Sequence, residues 1–496
     1  MPASRSVSQL SCTRRPHLTA FLVALSLIAC DSSEEPQLFG LTTEGLVEGI
    51  QLNGLRVYRG VPFAAAPHKA AAGRFREPAR PRTRNAPLKT TRTAPDCPQP
   101  PELYSFGATP REQSEDCLAL DIWTPAVTPA DALPVLVWVH GGGLLRGSSE
   151  RPGYDPADFA RRGIVVVAIR YRLGALGFLA HPALEKEGAS GTYGLSDQLR
   201  ALEWVHANAA AFGGDPTRIT LGGHSAGAAS LLPLMASPRA QPLYVAAILQ
   251  SPVVDPFSVG GRADRYADRN SLLREGVETS RNLGAEDAQA LRSVSAASWA
   301  NSGFTPKLSL DGEAFSSGFR DALAAGSLGH RRLVIGFTDD EPLLFLPMRG
   351  IPESESELQA RVREETGGRR SDAPDGDDIA TRYARFLQTE AFENPVFEIA
   401  DAATAAGWTV YTYRFSGLHG GARHGTDVVT IFGPQPELQK RTTSAELRTR
   451  AQEYWASFIT DGEPRATDGG GVQWPPYDSR TGRHIVLSEK IHSRKR

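Results

Sequence analysis

Five short apolar runs, at residues 135–139, 164–169, 219–221, 245–249 and 333–335, constrain the fold more than any other feature of this chain. Each is rich in β-branched residues and lacks the polar alternation of a half-solvated strand, the pattern of strands buried on both faces. Segments of helical spacing lie between them. Leu199, Leu202, Val205, Ala209 and Phe212 recur three and four residues apart on a helix after Ser196, which Gly213-Gly214-Asp215-Pro216 stops. Near the C-terminus Thr443 and Glu446 read as a capping box before a stripe of Leu447, Ala451, Tyr454, Trp455 and Phe458. Strands alternating with helices predict a doubly wound α/β fold around a mostly parallel sheet. Ahead of it, the segment 43–60 reads as a small antiparallel unit, with Asn53-Gly54 suited to a hairpin turn.

The chain can fill such a fold. Of its 496 residues 41% are hydrophobic and 22% charged, which excludes collagen, a coiled coil and wholesale disorder. The 54 basic and 56 acidic residues leave a net charge of −2, and with no basic block nucleic acid is not an expected partner. The segments 255–330 and 345–400 have weak strand signals and read as mostly helical cap insertions. The expected organisation is one domain over 37–496 carrying those two caps. The oligomeric state has no signature in the sequence.

The first 36 residues read as an address. Arg5, Arg14 and Arg15 precede an acid-free apolar run at 18–29, too short to span a bilayer but suited to a signal peptide over 1–29. Leu27-Ile28-Ala29-Cys30 resembles a bacterial lipobox, so Cys30 is expected to carry a lipid, with the polar segment 30–36 as tether. Thr13-Arg14-Arg15 also resembles a twin-arginine signal. An exported protein held to a membrane of the cell envelope follows, with a mature net charge of −5 once three arginines leave. Cys12 departs with the signal, leaving Cys97 and Cys117 as an even pair for a disulfide. Closing that loop is worth about 3 kcal/mol in the chain-entropy model.

Gly223-His224-Ser225-Ala226-Gly227 fits G-x-S-x-G. The pattern is weak alone and specific here, because it follows a strand and opens a helix. A serine hydroxyl near neutral pH needs a base to remove its proton. His419 and His424 both qualify, in a loop of small residues after the strand-like run 408–415. The base in turn needs a carboxylate, and Asp339, Asp340 and Glu341 follow the run at 333–335. Trp138-Val139-His140-Gly141-Gly142-Gly143 ends a strand in three glycines, so backbone N–H groups there can approach an oxyanion. A phosphate loop would need a following Lys-Ser/Thr, which is missing. No His/Cys cluster has metal-ligand spacing, and no cofactor is expected.

Taken together these motifs resemble the type-B carboxylesterase/cholinesterase family, which includes bacterial para-nitrobenzyl esterases. Gly60-Val61-Pro62-Phe63-Ala64 resembles its N-terminal signature, and Ser114-Glu115-Asp116-Cys117-Leu118 through Trp123 its second. Tyr171-Arg172-Leu173-Gly174 and Gly194-Leu195-Ser196-Asp197-Gln198 are similarly close. The resemblance covers most of the chain and implies an α/β-hydrolase fold and a serine esterase. Position by position it implies Ser225 as nucleophile, Glu341 as acid, His424 as base and the amides of Gly142, Gly143 and Ala226 as oxyanion hole. It pairs Cys97 with Cys117.

The chain departs from the family at several points. His224 stands where Glu is usual before the nucleophile, Pro342 replaces a Gly after the acid, and Pro233 should kink the helix behind Ser225 or coincide with an irregular turn. Residues 98–116 contain Tyr104 and Phe106 but no Trp, which disfavours choline esters. The expected substrate is a small-molecule ester. The rival readings are a non-catalytic adhesion protein, an amidase or peptidase on the same scaffold, and an interfacial lipase.

Overall fold

The computed structural model describes residues 38–67, 73–101, 111–150, 155–188, 191–253, 266–418, 421–433, 443–466 and 471–496. The signal peptide, Cys30, the tether, Tyr104, Phe106 and His419 lie outside the described residues. In chain order the described strands are β1 Phe39–Thr42, β2 Gly45–Glu48, β3 Ile50–Leu52, β4 Leu55–Pro62, β5 Leu88–Lys89, β6 Ala119–Thr124, β7 Leu133–Val139, β8 Val165–Ile169, β9 Gly214–His224, β10 Ala246–Gln250, β11 Arg332–Thr338, β12 Thr409–Gly417, β13 His484–Ser488 and β14 His492–Arg494.

Eleven of these pair into one sheet, in the order β14-β13-β12-β11-β10-β9-β7-β8-β6-β4-β3. From β13 to β8 every pairing is parallel, whereas β14 on one side and β6, β4 and β3 on the other join antiparallel. The expected α/β-hydrolase architecture is therefore present. Each predicted run lies within a strand or overlaps it by all but one residue, and β7, β9 and β11 run longer at their ends. The run at 219–221 grows into eleven residues because Leu133 pairs back to Gly214, before the expected turn has ended. Leu52 pairs with Leu55, so Asn53-Gly54 is a two-residue hairpin loop, with φ of 49° and 83° at its two residues.

Both faces of the sheet are covered. Along β7, Val135, Val137 and Val139 enter one hydrophobic cluster with helices Tyr193–Asn208, Ala226–Ala236 and Asn394–Ala405. Leu136 and Trp138 enter the opposite cluster with helix Ala445–Asp461. Two-sided burial explains the unbroken apolar runs, each large side chain contributing about 1.5–3 kcal/mol. A third cluster, with Phe345, Leu358, Val362, Tyr383, Phe386 and Phe392, is the core of the helical segment beyond β11.

One local expectation needs correction. Helix Ala445–Asp461 is capped by Ser444, whose Oγ accepts from Leu447 N, while the Thr443 hydroxyl bonds that of Thr430 instead. Tertiary contact claims Thr443, and the adjacent serine takes over the cap. Helix Ala226–Ala236 runs through Pro233 and ends three residues later. The Cys97–Cys117 disulfide is present, with Cα atoms 5.1 Å apart.

Candidate active site

The chain leaves β7, then β8 on one side of it, and returns to β9 on the other, so a crevice opens at the C-terminal ends of these strands. Ser225 stands at the end of β9, one residue before helix Ala226–Ala236, at φ 55° and ψ −130°. That conformation is costly for a residue with a side chain and persists only where surroundings enforce it. Two enforcing bonds are visible: Ser225 N–H donates to Gln250 O at 2.8 Å, and Ala229 N–H donates to Ser225 O at 2.9 Å. Close packing completes the elbow. A Cβ on Gly227 would lie 2.4 Å from Val139 O and 2.5 Å from His140 O, so only glycine lets this helix approach β7.

The glycine loop after β7 meets the serine directly, since a Cβ on Gly141 would stand 2.9 Å from the Cβ of Ser225. Gly142 and Gly143 follow at φ 126° and 65°, and Gly142 O accepts from Leu145 N and Arg146 N in a tight turn. Ala226 is the first residue of its helix, where an N–H has no partner within the helix. The far end of the loop is pinned by Gln99, whose side chain accepts from Gly147 N at 2.9 Å and donates to Gly147 O at 3.1 Å. Ser149 Oγ bonds Asp121, itself ion-paired with buried Arg170.

The three acids after β11 are sorted by their neighbours. Asp339 is taken by Arg414. Asp340 pairs its backbone with Ala422, and its carboxyl is pushed up, first by burial and then by the Asp339 charge. Glu341 is fully buried and meets His424, whose Nδ1 bonds Glu341 Oε2. The other carboxylate oxygen accepts from Ser251 Oγ at 2.6 Å and from Thr338 N at 2.7 Å. With Nδ1 on the carboxylate, Nε2 is the nitrogen left for proton transfer. The imidazole is enclosed by rings: Phe345 at 5.1 Å between centroids, Phe392 at 6.0 Å and His224 at 4.6 Å.

Three supporting residues escape a reading from sequence. Ser251 follows β10 just as Ser225 follows β9, and its place immediately past a strand end was the signal available. Gln250 links two parts of the site, its carbonyl accepting from Ser225 and its Nε2 donating to Asp427 Oδ2 at 2.9 Å. Asp427 also accepts from Tyr413 Oη at 2.6 Å, and burial raises its carboxyl, with the Glu341 charge adding to the rise. Gln388 has no local sequence signal at all. Among the described residues no group of His, Cys, Asp and Glu is placed to hold a metal ion.

A family model described as the Carboxylesterase family matches residues 38–496. The chain is 34% identical to a fumonisin B1 esterase of Sphingopyxis macrogoltabida, over 93% of this chain and 88% of that one. It is 31% identical to a para-nitrobenzyl esterase of Bacillus subtilis (strain 168), covering 91% and 94%. A solved PNB esterase superposes with a TM-score of 0.81 at 27% identity, covering 92% of this chain and 97% of that one.

Proposed function

The chain belongs to the carboxylesterase family and is a serine-type ester hydrolase, and from that premise we propose how its residues divide the work. Ser225 Oγ attacks the ester carbonyl while His424 Nε2 takes its proton, and Glu341 holds the imidazole and stabilises the imidazolium. The amides of Gly142, Gly143 and Ala226 receive the oxyanion. His424 then protonates the departing alcohol, leaving an acyl-Ser225, and water attacks by the same route to release the acid. The observation that carries this reading is the buried Glu341–His424 bond beside the strained Ser225 elbow, the His424 ring lying 4.6 Å from that of His224, the residue before Ser225. Phe345 and Phe392 put an apolar, aromatic wall beside His424.

Ester hydrolysis by the purified protein across acyl lengths and alcohols, against matched amides and in the Ser225→Ala variant, tests the assignment. Loss of all ester cleavage in folded Ser225→Ala is expected; retained cleavage would place the nucleophile elsewhere. Faster cleavage of the amides would make it an amidase, and a rate jump above the substrate's solubility limit would make it an interfacial lipase.

The proposal extends to the N-terminus, on sequence alone. Residues 1–29 direct export, and lipid on Cys30 tethers the domain to an envelope membrane. Among the described residues no helix is long and apolar enough to cross a membrane. Mass spectrometry of the mature N-terminus tests this: an unlipidated start at any other residue contradicts it.

A further inference from the structure

The turn that carries Glu341 is braced from the cap. Gln388 Oε1 accepts from Glu341 N–H at 3.1 Å, and Gln388 Nε2 donates to Thr338 O at 2.9 Å, 50 positions away in sequence. Thr338 N–H in turn donates to Glu341 Oε1. One carboxamide thus closes the turn 338–341 at both ends, and the acid's own side chain closes it from within. Gln388 is only 8% exposed, so water offers little substitute for these bonds.

Gln388 opens a π-helical turn, Gln388–Glu393, between helices Ile379–Leu387 and Asn394–Ala405. Such turns are rare, occur mostly as single-turn bulges inside α-helices and are frequent at functional sites. Here the turn aims two residues at one place. Gln388 holds the acid, while Phe392 stacks on Phe345 at 6.0 Å and stands against the His424 ring. Charged groups around the turn are already engaged: Glu393 faces Arg414, which also pairs with Asp339.

We propose that Gln388 is a positioning residue for the Glu341–His424 pair, so that the cap segment is part of the catalytic frame and not only a cover for the pocket. This rests on the roles given above to Glu341 and His424. Removing the brace leaves substrate contacts in place but lets the carboxylate drift, and a displacement of about 1 Å at such a group costs on the order of a hundredfold in rate.

The test compares Gln388→Met with Leu358→Ala, which opens a hole in the cap core but removes neither Gln388 bond, on a short-chain nitrophenyl ester. Gln388→Met should lower kcat by about ten- to a hundredfold with KM within about twofold of wild type. Leu358→Ala should lower the melting temperature and leave kcat unchanged well below it. A Gln388→Met enzyme with wild-type kcat, or one whose loss is matched by Leu358→Ala at equal stability, overturns the proposal. Gln388→Glu covers the case in which Met does not fold. Its carboxylate still accepts from Glu341 N–H but cannot donate to Thr338 O, so kcat should again fall, and an unchanged kcat again overturns the proposal. Glu341→Gln separates the two readings. If that variant is inactive and Gln388→Met is not, only the brace fails; if Glu341→Gln is fully active, the acid assignment fails with it.

Discussion

Replacing Glu341 by Gln exchanges one oxygen for an NH2 and should nearly silence the enzyme, for a reason fixed by the neighbours of the carboxylate. Ser251 Oγ and Thr338 N both donate to Oε1. In the variant the amide must keep its carbonyl oxygen there, because turning it would set an NH2 against two donors within a fully buried site. The NH2 then faces His424 Nδ1. An imidazole that accepts at Nδ1 carries its proton on Nε2, and a protonated Nε2 cannot take the proton of Ser225. Loss of the correct tautomer in an acid–base–serine triad costs ~10⁴ in kcat, or about 5.5 kcal/mol of transition-state stabilisation. The fold should survive, since shape and the Oε1 bonds are kept. Steady-state hydrolysis of a nitrophenyl ester, with thermal melting as control, gives the answer. A folded Glu341→Gln enzyme within about tenfold of wild-type kcat would refute the reasoning.

Two further outcomes follow from the packing and the titrating groups. Gly227→Ala places a methyl within 2.5 Å of two backbone oxygens of the β7 end; overpacking against backbone should cost roughly 1–3 kcal/mol and lower both the melting temperature and kcat, whereas an unchanged melting temperature would mean the elbow is looser than described. Burial lowers the imidazoles of His181 and His484 below their ordinary 6.5. The unfolded chain therefore takes up protons first, and the stability these groups contribute is present above pH 6.5 and lost as pH falls towards their folded values. Melting temperature measured against pH should decline less steeply below 6.5 in a His181→Asn/His484→Gln double variant, and an identical slope would exclude these two histidines as the cause.

How much of this was legible in the sequence depended on how local each signal was. Ser225 could be read because strand, elbow and helix adjoin; Gly223 answers to its neighbours Gly227 and Ala228, whereas the contact that demands Gly227, with Val139 O and His140 O, comes from far along the chain. The parallel sheet was legible because burial on both faces leaves an unbroken apolar run. The acid was not settled by its own segment: three carboxylates compete, and Arg414, on a different strand, removes Asp339 from contention. Resemblance to the family chose Glu341, and His424 Nδ1 bonds its Oε2. Ser251 and Gln388 were invisible for a plainer reason. Each is a single polar residue whose importance lies in what the fold brings against it: a place just past a strand end marks the position of Ser251 but not its role, and nothing local marks Gln388. Strand ends were misjudged for the same cause, since a ladder partner such as Leu133 extends β9 beyond its apolar run.

The whole account stands on Ser225 being the atom that attacks. Peptide mass spectrometry after treatment with a fluorophosphonate reads this without any choice of substrate. The adduct should sit on Ser225 at one per chain in the wild type and form far more slowly in His424→Ala. Stoichiometric inactivation with the adduct on any other residue, or undiminished labelling without His424, would contradict it.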